Sequence, residues 1–187
     1  MNILDTDNKT VLGIVNGGTA QYRGLEAEGS YAFGNGLAAY ASGAVSEARF
    51  INGVNTGLIL ANAPRSTAAG GLIFDNGKFF GSALYKITGD QYGSKGQAAT
   101  TAAANGELNH VDAYNSTDMV AGFRTDALKQ YGFGNQLEIK AGVSNVFNNQ
   151  AITDIGGAPS ALTAPADSLT YTCQAARTFY ASTKVDF

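Results

Sequence analysis

Glu26 and Glu28 are two carboxylates spaced two residues apart. On an extended chain that spacing puts both on one face. A carboxylate pair of this kind can do acid–base work on a glycoside only when the two acids flank a bond from different elements. No second strand offers a matching acid, so the pair reads as polar residues on a strand face. His110 is the only histidine and Cys173 the only cysteine. A multi-histidine metal site, a zinc-type cysteine cluster and an intrachain disulfide are therefore excluded within the chain. Serines are common, but no Gly-x-Ser-x-Gly elbow is present, and any triad would depend on His110 alone. Gly34-Asn35-Gly36 is a tight-turn signal, not a phosphate cradle, because no helix period follows it. The expectation is no catalysis, no cofactor and no metal.

A second set of charged residues recurs with a period of two. Asp118, Arg124 and Asp126 occupy even positions of a run whose odd positions are Val111, Ala113, Met119, Ala121 and Phe123. Glu138 and Lys140 likewise alternate with Leu137, Ile139, Ala141 and Val143. At the end of the chain Phe179, Ala181, Thr183, Val185 and Phe187 oppose Tyr180, Ser182, Lys184 and Asp186. A strand sends successive side chains to opposite faces. One face of each run is apolar and the other polar, as in a transmembrane β-barrel with lipid outside and a wet or plugged interior. Arg or Lys facing lipid near the midplane costs about 2–4 kcal/mol. Glu26, Glu28, Asp118, Arg124, Asp126, Glu138 and Lys140 are accordingly expected to face the lumen. Tyr180, Val185 and the terminal Phe187 are expected to form the signal read by the barrel-assembly machinery. Tyr22, Tyr31, Phe33, Phe79, Tyr85, Phe147 and Phe179 are candidates for interfacial aromatic girdles.

These positions require long strands. The alternation predicts seven, at about 21–33, 37–50, 64–74, 78–90, 111–127, 137–147 and 169–187, with an eighth possible near the start. Short turns at 34–36, 75–77 and about 128–135 alternate with longer loops at 51–62, 91–109 and 148–168. Bacterial up-and-down barrels show this asymmetry, with short periplasmic turns and long extracellular loops. Composition agrees. Charged residues are only 14% of the 187, against about 25% in typical soluble domains. There are 24 glycines, 3 prolines and a net charge of −3, with no basic stripe, so nucleic acid is not an expected partner. The longest apolar stretch, Ala68 to Phe74, is far below the ~20 residues of a membrane helix.

Three stretches resemble the TonB-dependent outer-membrane receptors. They are Asn16-Gly17-Gly18-Thr19-Ala20 with Tyr22-Arg23-Gly24-Leu25-Glu26, then Ala141 through Asn149, and the closing run Arg177 to Phe187. Gln150-Ala151 stands where many members have a tyrosine, and Ala176 where a glycine often precedes the arginine. The resemblance implies an all-β, antiparallel up-and-down transmembrane barrel of 22 strands with a plugged lumen, of which residues 1–187 would be the last seven or eight strands. It also implies active uptake of a scarce nutrient, a ferric siderophore being the commonest class, in the outer membrane of a Gram-negative bacterium. The implied partners are outer-membrane lipid, the assembly machinery, the ligand, and TonB acting through the plug. No signal peptide opens the chain, so it is expected to be a carboxy-terminal fragment whose plug and signal peptide lie upstream. The alternatives are a passive channel, an autotransporter barrel, or, from another class, a secreted soluble β-sandwich.

Overall fold

The computed structural model describes residues 2–4, 11–14, 18–53, 55–93, 109–132, 134–157 and 169–186. Its strands are β1 (Asn2–Leu4), β2 (Val11–Ile14), β3 (Ala20–Gly34), β4 (Leu37–Phe50), β5 (Ser66–Asp75), β6 (Phe79–Thr88), β7 (Gln91–Tyr92), β8 (His110–Val111), β9 (Tyr114–Thr125), β10 (Gln136–Ser144), β11 (Ile152–Gly157), β12 (Leu169–Cys173) and β13 (Thr178–Asp186). β3, β4, β5, β6, β9, β10 and β13 form one seven-stranded antiparallel sheet in which each strand pairs with the next. The other strands make two-stranded hairpins: β1–β2, β7–β8 and β11–β12.

Turn chemistry closes the sheet along one edge. Asn35 at φ 53° and Gly36 at φ 82° supply the two positive φ values that a tight hairpin turn requires. At the next turn Asp75 Oδ1 accepts from Gly77 N at 2.8 Å, and Asn76 Oδ1 accepts from Phe79 N at 2.7 Å. These short Asx side chains take the place of ladder bonds. Between β9 and β10 a short 3₁₀ turn, Lys129–Tyr131, ends on Gly132 in the left-handed region.

The register sorts the side chains. Leu25 faces Val45, Ala41 faces Gly70, Leu72 faces Ala83, Gly81 faces Ala121, Ala121 faces Ala141, and Ala141 faces Ala181. Cross-strand partners share a face, so these residues, with Tyr31, Phe79, Tyr85, Phe123 and Phe179, make one continuous apolar surface. The opposite face carries Glu26, Glu28, Lys86, Asp118, Arg124, Glu138, Lys140, Lys184 and Asp186. Most of the apolar surface is left open among the described residues: Leu25 is 79% exposed, and only its loop-side end, at Thr117, is covered. A sandwich would cover it with a second sheet.

Burial lies elsewhere. Ile59, Tyr92, Val111 and Ile155 are buried apolar side chains, and Gln91, Asn109 and Asn145 are buried polar ones. These sit beyond the strand ends on the loop side of the sheet, and Ala48, Thr88 and Thr117 are buried toward the loop-side ends of β4, β6 and β9 themselves.

Three expectations need correction. The run predicted as one strand from residue 111 is two: His110–Val111 pairs with β7, and the wall strand starts only at Tyr114. The run from residue 169 is also two, because Leu169–Cys173 pairs with Ile152–Gly157 inside the stretch read as loop. The sixth wall strand stops at Ser144, which leaves Phe147 in the following turn, and Tyr22 falls on the polar face opposite Ala48. Those two aromatics are not on the apolar surface of the wall.

Candidate functional site

On the polar face the β9–β10–β13 register lines up Arg124, Glu138 and Lys184 across three strands. The Arg124 guanidinium is held on three sides. Nη1 donates to both carboxylate oxygens of Asp75, at 3.0 and 2.9 Å. Nε donates to Glu138 Oε2 at 2.9 Å. Its central carbon lies 4.3 Å from the centre of the Phe80 ring, within cation–π range. Phe80 in turn stands directly opposite Gly122, and Tyr180 directly opposite Gly142. A Cβ added to either glycine would run into the ring beside it. The glycines let the aromatics lie flat across neighbouring strands and wall in the charged row. Lys184 Nζ reaches Asp186 Oδ1 at 2.8 Å.

This arrangement is a preorganised row of paired charges, two cations held among three carboxylates. It contains no nucleophile beside a base, and its carboxylates are occupied by cations. Asp126 lies just past β9, with Lys129 Nζ 3.8 Å away. Asp118 accepts from Asn145 N at 2.9 Å. Lys140 stands between Gly122 and Ser182. Glu26 and Glu28 share the face but lie on β3, at the far edge of the sheet from β13, opposite Ala44 and Ser42. The structure thus brings Arg124 and Glu138 together and leaves the Glu26–Glu28 pair well apart from them.

The loop side is tied together by long-range bonds. Asn145 is the hub. Its backbone has φ 53°, a left-handed value that asparagine tolerates better than most residues. Its side-chain Nδ2 donates to Asn149 O and Ala175 O, both at 2.8 Å, and Oδ1 accepts from Asn149 N at 2.9 Å. Asn148 Oδ1 accepts from Arg177 N at 2.9 Å. These side chains stop the ladder at Ser144 and rejoin it at Thr178. The β7–β8 hairpin docks beside them. Asn62 N donates to Tyr92 O at 2.8 Å, and Gln91 Nε2 donates to Thr153 O at 3.1 Å. His110 lies with Nε2 3.6 Å from Asp90 Oδ2 and Nδ1 3.4 Å from Asp112 Oδ1, its ring edge-on to Tyr92. Among the described residues no group of three or more His, Cys, Asp or Glu side chains could hold a metal ion.

At the closing strand, Tyr180 faces the polar side and Val185, opposite Leu137, faces the apolar side. Phe187 lies outside the described residues. Sequence reasoning missed Asn145, Gln91, Tyr92 and Ile155 as organisers of the loop side. The clustered asparagines after Ser144 were the available signal, since such residues cap and turn chains through their side chains.

The family model described as "TonB dependent receptor-like, beta-barrel" matches residues 2–146. No curated protein sequence matches the chain. Among solved structures, the ferric yersiniabactin uptake receptor FyuA from Yersinia pestis superposes with a TM-score of 0.67 at 20% identity, over 92% of this chain and 24% of that one. The ferric citrate transporter FecA gives 0.66 at 17%, over 90% and 24%. The copper transporter OprC gives 0.63 at 16%, over 90% and 24%. The chain thus spans about a quarter of the length of these solved relatives.

Proposed function

The chain belongs to the TonB-dependent receptor β-barrel family, a family of transport receptors, and on that premise we propose that it forms wall and extracellular loops of an outer-membrane receptor for active uptake of a ferric chelate. Residues 1–187 would be the carboxy-terminal part of a larger, 22-stranded barrel, with a plug preceding it. The observation that carries this reading is the two-faced meander. Its apolar face is exposed and continuous, while its polar face holds an ordered row of charges. In that reading the apolar face meets lipid. Glu26, Glu28, Asp118, Arg124, Glu138 and Lys140 face the lumen, with Asp126 at its turn-side rim. Tyr180, Val185 and Phe187 serve barrel assembly. The work is transport, coupled through the plug to TonB, and not catalysis.

The ferric chelate is proposed because two of the relatives above are named for ferric ligands and one for copper. The test is uptake of a panel of radiolabelled ferric siderophores, with copper as a parallel arm, by iron-starved cells carrying or lacking the complete gene. Gene- and TonB-dependent accumulation of one ferric chelate is the expected result. Accumulation of copper alone would move the cargo to that metal. Equal uptake of every label with and without the gene would end the transport reading.

A further inference from the structure

On the apolar face of the seven sheet strands, every charged residue sits in one place. Arg23, Glu47 and Arg49 are adjacent at the loop-side ends of β3 and β4, and the rest of that face is uncharged. Arg23 donates through Nε to Glu47 Oε2 at 2.7 Å, and Nη2 engages the same oxygen. Arg49 holds the other oxygen of Glu47, and its Nη1 donates to Gly57 O at 3.1 Å. Arg65 joins them around a shallow depression lined by Arg23, Leu25, Val45 and Glu47, with Nη1 3.3 Å from Asp90 Oδ2. Three guanidiniums against two carboxylates leave positive charge in excess. A guanidinium has five N–H donors, so each arginine retains donors beyond those engaged here.

The surroundings select the occupant. Leu25 and Val45 begin the apolar band immediately on the turn side of the cluster. From Leu25 to Phe33 the band runs about 26 Å along the strand, which at the roughly 40° tilt of barrel strands is about 20 Å of height, most of the ~25 Å apolar belt of outer-membrane barrels. The cluster therefore lies at headgroup height, on the side of the long loops, directly above acyl chains. Arginine forks match phosphate oxygens in pairs.

We propose that Arg23, Arg49 and Arg65 form a binding site for the phosphorylated headgroup of an outer-leaflet glycolipid of the lipid A type. Its acyl chains would descend over Leu25 and Val45, and Glu47 would hold the forks in place while competing for them. The proposal rests on the reading of the apolar face as lipid-facing.

The test uses the complete natural chain, extracted from outer membranes, stripped of lipid and checked for a heat-modifiable folded band. Its melting midpoint is followed with added lipid A, with phosphatidylethanolamine and with inorganic phosphate. Lipid A is expected to raise the midpoint by several degrees, and the other two are not. Arg23→Gln with Arg49→Gln should abolish the shift, whereas Glu47→Gln should tighten lipid A binding several-fold. An equal shift in the arginine variant would overturn the site, and so would an equal response to inorganic phosphate or to phosphatidylethanolamine. A folded outer-membrane barrel with no response to lipid A would overturn the site while leaving the barrel reading intact. A chain that never yields the folded band would remove the barrel reading, and the site with it.

Discussion

Leu25, in the wall, is 79% exposed, while Val111, on the loop side, is 1% exposed. In a water-soluble domain the strands would hold the buried residues and the loops the exposed ones. Here large apolar residues in the strands stay exposed, and burial gathers at and beyond the loop-side strand ends. The wall is held by its backbone ladder, from Ala20–Phe50 at one edge to Gln136–Asp186 at the other, and both of its faces are left for other matter to cover. The loop side carries its own small core and a network of side-chain hydrogen bonds that spans widely separated residues. A wall built this way depends on what lies against each face. A loop cluster built this way can keep its shape independently of what covers the wall.

The largest effect should come from placing a charge on the wrong face. Ala121→Arg, in the middle of the apolar surface between Gly81 and Ala141, is expected to cost about 2–4 kcal/mol and to deplete folded barrel in membranes. Val120→Arg, one residue away on the polar face, should assemble normally. Equal yields of the two, measured as heat-modifiable protein, would break the distinction between the faces.

Next in size is Asn145→Ala. It removes three side-chain hydrogen bonds from a buried hub and forces alanine into a left-handed backbone. A loss of about 1–3 kcal/mol is expected, confined to the loop side. Hydrogen exchange should speed up in residues 145–157 and 169–177 and stay unchanged in β9 and β10. Uniform acceleration would show that the two regions are one cooperative unit.

Val111→Ala should cost about 1–2 kcal/mol, again only on the loop side, read as faster proteolysis of the β7–β8 hairpin with an undisturbed folded band. The smallest effect belongs to Glu26→Gln and Glu28→Gln. These exposed positions on β3 should stay within about 0.5 kcal/mol of the parent and leave uptake unchanged. A loss of uptake without a loss of barrel would give the pair a ligand role.

The wall was legible because alternation, long strands and Asx–Gly turns all point to the same architecture. Met119, Ala121 and Phe123 against Asp118 and Arg124 needed no partner to be read correctly. The loop side was illegible for the opposite reason. His110–Val111 and Tyr114–Thr125 alternate in phase, so nothing local marks the break between them. It arises because Val111 pairs with Gln91. Leu169–Cys173 was merged with the closing strand because its true partner, Ile152–Gly157, lies across a long connection. Arg124 was read as a lumen charge, but its contact with Asp75 joins residues 49 positions apart, and periodicity carries no information about such pairs.

The central claim is that consecutive residues of the wall see different media. Single cysteines at Val120, Ala121, Lys140 and Ala141, in the complete chain with Cys173→Ser, can be labelled with a polarity-sensitive fluorophore in membranes containing brominated lipid. Labels at Ala121 and Ala141 should be quenched by the bromines, and those at Val120 and Lys140 should respond only to a water-soluble quencher. Equal access of the aqueous quencher to all four positions would contradict the account.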